Sequence, residues 1–340
     1  MRTTAALLLG CLILAADLSA QGLRHADGET TTDAALVTTN ADSPPAIPAA
    51  TFKAGVDLVA LTVVVTDPQR RLITGLGEQN FHVFEDGVQQ DLSFFAASRV
   101  PLDLSLLLDT SASMFDKMHT MQEAAIGFAR TLHEGDRLSI VDIKDSVKVL
   151  HPLDSDLDGA IGAIRSTAAR GGTALYNGLY MTLREMMKRK AAGDIRRQAI
   201  ALLSDGEDTA SLVSFDDVLD VAKQAGIAIY TIALRSAIDV REASSKGGRS
   251  FSNAEYAMKM CAAETGALSF FPTDIRELAG VYQQIATELA SQYAIGYTPK
   301  NPKHDGGFRR VVVQVTEHPG AQTRTRSGYQ SPRADRPTLQ

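Results

Sequence analysis

Short apolar segments alternate with amphipathic helical segments through the middle of the chain, and this alternation limits the fold more than any other feature. The segments LDLSLLLD, RQAIALLSD, AGIAIYTIAL and ALSFF are apolar almost throughout, as buried parallel strands are. The segments between them, such as KMHTMQEAAIGFARTLH and SFDDVLDVAKQA, place apolar residues at helical spacing. We therefore predict an α/β fold, a doubly wound and mostly parallel sheet with helices on both faces.

Strands of a different kind flank this α/β region. VDLVALTVVVTD and NFHVFEDGVQQDLSFFAAS before it, and FRRVVVQV after it, alternate apolar and polar residues, as half-buried strands do. We expect residues 54–100 and 293–332 to be the two parts of a small accessory β domain, paired into one sheet, around a central domain of residues 101–292. Residues 333–340 are expected to form a loose tail.

The N-terminal residues are typical of an export signal. Arg2 precedes the apolar run AALLLGCLILAA, and LSA before Gln21 offers a small residue for cleavage. We predict a signal peptide over residues 1–20 and a flexible leader over residues 21–53, which are rich in Thr, Ala, Asp and Pro. The apolar core continues past Cys11, so lipid attachment there is not expected.

Export has consequences for location and for cysteine chemistry. The protein would be periplasmic or secreted, without a transmembrane segment after signal removal, because the apolar run is too short to be a stable anchor and no other run is longer. The mature chain would retain one cysteine, Cys261, so no intramolecular disulfide could form. The net charge of −6 and the absence of a basic block give no reason to expect nucleic acid binding. The oligomeric state stays open.

Three separated segments carry oxygen-bearing side chains to places where strands or loops end. Asp109, Ser111 and Ser113 follow one apolar strand, and Asp205 follows another in LLSDGEDT. Thr173 lies in RGGTALYNGL, after a glycine pair and before a helix. Ligands of such folds bind where the carboxyl ends of the parallel strands meet, so we expect these five side chains to converge at one edge.

The chemistry of these groups favours a hard divalent cation. Two carboxylates and three hydroxyls suit Mg²⁺, which prefers six oxygen ligands, and the lack of His and Cys argues against zinc. The two carboxylates balance the charge of the ion. A coordination position can therefore stay open for an outside anion, such as the Asp or Glu carboxylate of a partner protein.

The first segment by itself would also fit two roles that need no metal-binding cluster. Asp109, Ser111 and Ser113 could simply cap the next helix, but Thr173 and Asp205 are then unexplained. Asp109 could instead be the aspartyl nucleophile of a phosphotransferase. That chemistry requires a second acid two residues later, where this chain has Ser111.

With these residues in place, the chain resembles a von Willebrand factor type A (VWA) domain over about residues 101–292. DTSAS fits the Asp-x-Ser-x-Ser signature of the metal-ion-dependent adhesion site (MIDAS), and Thr173 and Asp205 fit its distant threonine and acid. The resemblance implies a Rossmann-like fold, with Ser111, Ser113 and Thr173 as direct metal ligands. It implies that Asp109 and Asp205 bind directly or through water. The metal would be Mg²⁺, with Mn²⁺ and Ca²⁺ as alternatives.

The flanking segments sharpen this resemblance. GLGEQNFHVFEDGVQQ, YAIGYTPKN and RSGYQSP are similar to a bacterial subgroup, the acidobacterial-type VWA-related proteins, whose members carry export signals. We therefore expect an exported, metal-ion-dependent protein-binding or adhesion module rather than an enzyme. Two alternatives remain open: a metal-dependent phosphohydrolase using the same acids, and a structural subunit of an envelope assembly with a vestigial metal site.

Overall fold

The computed structural model describes residues 58–97, 100–190, 196–205, 208–234 and 252–333. The predicted signal peptide, Cys11 and nearly all of the predicted leader and tail lie outside these residues. Among the described residues, no helix combines the length and the apolar character needed to cross a bilayer. The expected domain boundaries at residues 101 and 292 stay a prediction.

Strands and helices are numbered in chain order. The strands are β1 (Val59–Thr66), β2 (Phe81–Glu85), β3 (Val88–Gln90), β4 (Leu92–Ala96), β5 (Leu102–Asp109), β6 (Arg137–Ile143), β7 (Val147–Asp154), β8 (Arg197–Ser204), β9 (Ala228–Ala233), β10 (Ser269–Phe270), β11 (Tyr293–Tyr297), β12 (Phe308–Val315), β13 (Gln322–Arg324) and β14 (Gly328–Gln330). The α-helices are α1 (Met118–Ala129), α2 (Leu157–Arg165), α3 (Leu175–Lys190), α4 (Phe215–Ala225), α5 (Asn253–Thr265) and α6 (Leu278–Ala290).

The central sheet has six strands in the order β10-β9-β8-β5-β6-β7. All neighbours are parallel except β6 and β7, which form an antiparallel edge. Strand order reverses between β5 and β8, so the chain leaves the sheet in opposite directions from these two neighbours. The carboxyl ends of β5 and β8 therefore flank the crevice in which ligands of such sheets bind.

Helices cover both faces of this sheet, which confirms the predicted fold class. Helices α1, α2 and α6 pack on one face, and α3, α4 and α5 pack on the other. Strand β5 shows why the sequence requires two layers: Leu104 and Leu106 belong to the first core, and Leu107 belongs to the second. Successive side chains of a strand point to opposite faces, so an apolar strand needs cover on both.

The flanking segments pair with each other, but they form two antiparallel sheets rather than the expected single sheet. The strand orders are β13-β1-β11-β4 and β14-β12-β2-β3. Strands β1 and β2 come before the α/β region in the sequence, and their partners β11 and β12 come after it. Each sheet has one apolar face, and the alternate residues of these four strands pack together in a shared core. Two sheets form because each one needs a partner surface to bury that face.

A buried polar cluster connects the second flanking segment to the α/β region. The carboxylate of Glu288 on α6 accepts hydrogen bonds from the phenol of Tyr230 at 2.6 Å and from the guanidinium of Arg324 on β13. Arg324 also donates to the carbonyl of Gly266 at 2.6 Å. Burial and the adjacent Glu288 carboxylate raise the pKa of Tyr230, so the phenol remains a donor.

Candidate metal centre

Asp109 is the last residue of β5 and is fully buried. One carboxylate oxygen accepts a hydrogen bond from the backbone N–H of Ser111 at 2.9 Å, and the other accepts from the hydroxyl of Ser204 at 2.5 Å. Burial raises the pKa of Asp109, the two serine donors lower it, and the neighbouring Asp205 carboxylate raises it further. The side chain is therefore held in one orientation, at a position where a second negative charge is close.

The two serines of the first segment connect it to the acid of the second strand. The chain turns after Asp109 into a short 3₁₀ helix, Ala112–Met114. The hydroxyls of Ser111 and Ser113 lie 3.0 Å apart, and the Ser113 hydroxyl donates to Asp205 at 2.7 Å. Four of the five candidate ligands thus form one hydrogen-bonded cluster at the carboxyl ends of β5 and β8.

Thr173, the fifth candidate, is buried in a loop whose backbone is bonded to both ligand segments. The N–H of Ala112 donates to the carbonyl of Gly171 at 3.0 Å. The N–H of Thr173 donates to the hydroxyl of Thr209 at 2.9 Å, and the N–H of Thr209 donates back to the Thr173 carbonyl at 2.9 Å. Among the described contacts, its side chain has no hydrogen bond to the other four candidates. Its position beside them therefore follows from the backbone.

The loop of Thr173 depends on a glycine and on an acid that the sequence analysis did not single out. Gly171 has a φ of +73°, the left-handed region, and a Cβ there would overlap the carboxylate of Asp145. The same carboxylate accepts a hydrogen bond from the N–H of Gly172 at 2.5 Å. Asp145 therefore holds the loop in place. The glycine pair was the sequence signal that another group approaches the backbone of this loop closely.

Two further side chains contact the cluster. Ser204, the last residue of β8, bonds Asp109, and its sequence signal is a hydroxyl at the end of an otherwise apolar strand. The ammonium of Lys117 forms an ion pair with Asp205 and donates to the carbonyl of Ser113 at 3.2 Å. The pattern of apolar residues gives no signal for Lys117, because the turn that brings Lys117 to Asp205 depends on backbone geometry that this pattern does not encode.

The donor set fits a hard divalent cation. The cluster offers carboxylate and hydroxyl oxygens, with neither thiolate nor imidazole among the described residues that form it. No group of three or more His, Cys, Asp or Glu side chains suited to a metal occurs in the described parts of the chain. The ion pair with Lys117 shows that this edge already attracts positive charge. Carboxylates and hydroxyls without soft ligands favour Mg²⁺ or a similar ion over zinc.

Residues 103–284, more than half of the chain, match the family model of the von Willebrand factor type A domain. The chain belongs to the VWA family. The match begins at the second residue of β5, the strand that ends at the first residue of the Asp-x-Ser-x-Ser signature, and extends into α6. It thus confirms the resemblance drawn from the sequence at the level of the family.

Several known proteins are similar to this VWA protein. The "Uncharacterized protein sll0103" of Synechocystis sp. is 34% identical over 143 residues, which are 39% of this chain and 33% of that protein. The chain therefore spans about one third of the length of this relative.

Solved structures are similar at lower identity. A von Willebrand factor type A structure from Catenulispora acidiphila is 14% identical, with a TM-score of 0.46 over 84% of this chain and 76% of the other. Proximal thread matrix protein 1 from the mussel byssus, in a form with a zinc-occupied MIDAS motif, is 15% identical, with a TM-score of 0.45 over 57% of this chain and 49% of the other.

Proposed function

We propose that this VWA protein is a binding module that captures a partner protein through a divalent cation, with Mg²⁺ first among the candidates. Asp109, Ser111, Ser113, Thr173 and Asp205 would hold the ion. The observation that carries the proposal is the hydrogen-bonded cluster of two carboxylates and two hydroxyls at the sheet edge. VWA domains commonly bind protein ligands, often through such a site, which supports it.

The charges of the donor set explain how a partner could be recognised. Asp109 and Asp205 together supply two negative charges, and the hydroxyls of Ser111 and Ser113 supply none. A bound Mg²⁺ would offer an electrophilic position to an outside carboxylate. The two carboxylates balance the double positive charge of the ion, and the other ligands are neutral. The metal-bound site therefore has no net negative charge that would repel the Asp or Glu of a partner.

Exposed apolar side chains follow both ligand segments in the sequence and offer additional contact area. Phe115, next to the 3₁₀ turn that carries Ser113, is 79% exposed, and Leu212, in the loop after Asp205, is 97% exposed. The N–H of Leu212 donates to the side chain of Asn177 at 3.1 Å, which holds this loop on α3. Large exposed apolar side chains near a candidate binding site are typical of protein interfaces.

The environment of Asp109 argues against one form of the phosphohydrolase alternative, the form in which this acid is the nucleophile. A nucleophilic carboxylate must reach a phosphorus atom, but Asp109 is fully buried and both of its oxygens accept hydrogen bonds. We propose that the protein is a binding module and not an enzyme. A phosphoester turnover assay with Mg²⁺ tests this, and hydrolysis that disappears in D109A would establish the alternative.

Export and subgroup membership are part of the proposal. The signal-like residues 1–20 support a periplasmic or secreted protein, and the flanking motifs support the acidobacterial-type subgroup. Segments on both sides of the VWA match pair to form the accessory sheets. This pairing supports a subgroup in which the flanking segments and the VWA domain occur together. Cell fractionation with an antibody tests the location directly.

The decisive experiment is affinity capture from the native cell envelope with and without EDTA. Wild type, D109A and S113A serve as bait, and S113A covers the case in which loss of Asp109 disturbs the turn at Ser111. D274A is the matched control, because Asp274 is a partly exposed acid bonded to Arg276 and has no described contact with the cluster. We expect capture that is lost with EDTA and in both site variants but kept in D274A. Capture that survives chelation would instead support a structural subunit with a vestigial site.

A further inference from the structure

Lys117 holds an unusual place beside the candidate ligands. It lies one helical turn after Ser113, and its ammonium contacts the Asp205 carboxylate and the Ser113 carbonyl. The Asp205 side chain is only 3% exposed, and that of Lys117 is 25% exposed. The ion pair is thus largely shielded from water. An ion pair in a shielded environment is stronger than one on an open surface.

The contacts of Asp205 are divided between a candidate ligand and this lysine. One carboxylate oxygen accepts from the Ser113 hydroxyl at 2.7 Å, and the other faces the Lys117 ammonium. The Asp109 carboxylate belongs to the same cluster, and the two negative charges repel each other. Lys117 therefore supplies a positive charge beside two acids that repel each other.

We infer that Lys117 is a tethered cation that competes with the divalent ion for Asp205 and so sets the metal affinity of the site. The inference rests on the proposed function and deepens it. If the metal takes the oxygen that Lys117 contacts, the ion pair must break. If it takes the other oxygen, the ammonium would still face the same carboxylate and would repel the doubly charged ion. In either case the lysine weakens metal binding.

The same reasoning gives a second consequence, for the metal-free protein. With Lys117 in place, the Asp205 carboxylate keeps a counter-charge when no metal is bound, so the ligand loops stay assembled. A neutral side chain at this position leaves a shielded carboxylate beside Asp109 without compensation, which is destabilising. Lys117 thus lowers the metal affinity of the site but keeps its ligand loops assembled when no metal is bound. The occupancy of the site then varies with the concentration of the ion.

The test is a calorimetric titration of Mg²⁺ into the full chain as wild type, K117M and K117Q, with thermal unfolding of each in EDTA. K188M is the control, because Lys188 is an exposed lysine on α3 that pairs only with Glu185 among the described contacts. Coulomb repulsion between a unit charge and a divalent ion at this range predicts Mg²⁺ binding on the order of tenfold tighter in K117M. The metal-free melting temperature should fall in K117M and stay unchanged in K188M.

The outcomes separate the two proposals. If wild type binds Mg²⁺ and K117M and K117Q bind it no more tightly, the inference is wrong and the proposed function stands. If neither wild type nor the variants bind Mg²⁺, the proposed function fails and the inference fails with it. K117Q repeats the measurement if K117M does not fold, since the amide still donates to the Ser113 carbonyl.

Discussion

Removing one partner of the ion pair between Arg324 and Glu288 should destabilise the protein strongly. In R324M, the Glu288 carboxylate keeps the hydrogen bond from Tyr230 but loses its counter-charge, and the Gly266 carbonyl loses its donor. Removing one partner of a buried ion pair costs about 3–5 kcal/mol. Because the Arg324 side chain is 28% exposed, water can partly solvate the remaining charge. We therefore expect a loss of about 3 kcal/mol in the free energy of unfolding, at the lower end of that range.

Urea unfolding followed by far-ultraviolet circular dichroism measures this loss. The double variant R324M/E288Q should recover part of it, since it removes the uncompensated charge as well as the arginine. R276M is the control, because Arg276 pairs with Asp274 on the exposed surface, and its midpoint should not change. A loss below about 1 kcal/mol in R324M would show that the pair does not hold β13 against α6, and the reasoning would be refuted.

Three further predictions test other parts of the molecule. F115A and L212A should weaken capture of the partner at saturating Mg²⁺ and leave the calorimetric Mg²⁺ affinity unchanged, because both side chains are exposed and neither carries an oxygen that could bind the metal; a changed Mg²⁺ affinity would contradict this. G266A should lower the melting temperature, because Gly266 has a φ of +75° and a Cβ there would overlap the backbone of Thr325; an unchanged melting temperature would show that the chain relaxes freely. Burial raises the pKa of Cys261 to about 12, so iodoacetamide at pH 8 should label it only after unfolding, as mass spectrometry can show.

The α/β region was predictable because its sequence signals are local and repeated. Strands β5 and β8 are mostly apolar and end in polar residues, so the positions of Asp109 and Asp205 followed from the rule that parallel strands end at one edge. The loop of Thr173 was predictable from its glycine pair. The hydrogen bonds of these three segments agree with the expected convergence, while their role as metal ligands stays a prediction.

The contacts that complete the site depend on geometry that the pattern of residues does not encode. Lys117 reaches Asp205 only because a 3₁₀ turn follows Ser111, and Asp145 reaches Gly172 from a different loop. Both are charged side chains in polar segments, where many positions look alike in the sequence. Their contacts with the site can be identified only from the backbone conformation and the distances between atoms.

The accessory region was misjudged for a similar reason. Alternating strands such as β12 indicate one buried face, but alternation does not say whether that face packs on a helix, on the α/β region or on another sheet. The shared core that includes Val63, Val83, Ile295 and Val313 shows that two sheets cover each other. The alternating pattern therefore predicted the strands correctly, but it did not predict that they form two sheets packed on each other.

The pairing of β1 with β11 determines the order in which this protein can be built. Val59 pairs with Tyr297, so the first described strand has no partner until the chain has been synthesised through the α/β region to β11. The α/β layers are complete in sequence before that moment and can form early, whereas both accessory sheets must wait for the C-terminal strands. Until then β1 has no partner strand and β2 pairs only with β3, so apolar side chains of both stay uncovered, and this interval is when a growing chain would be most prone to aggregate.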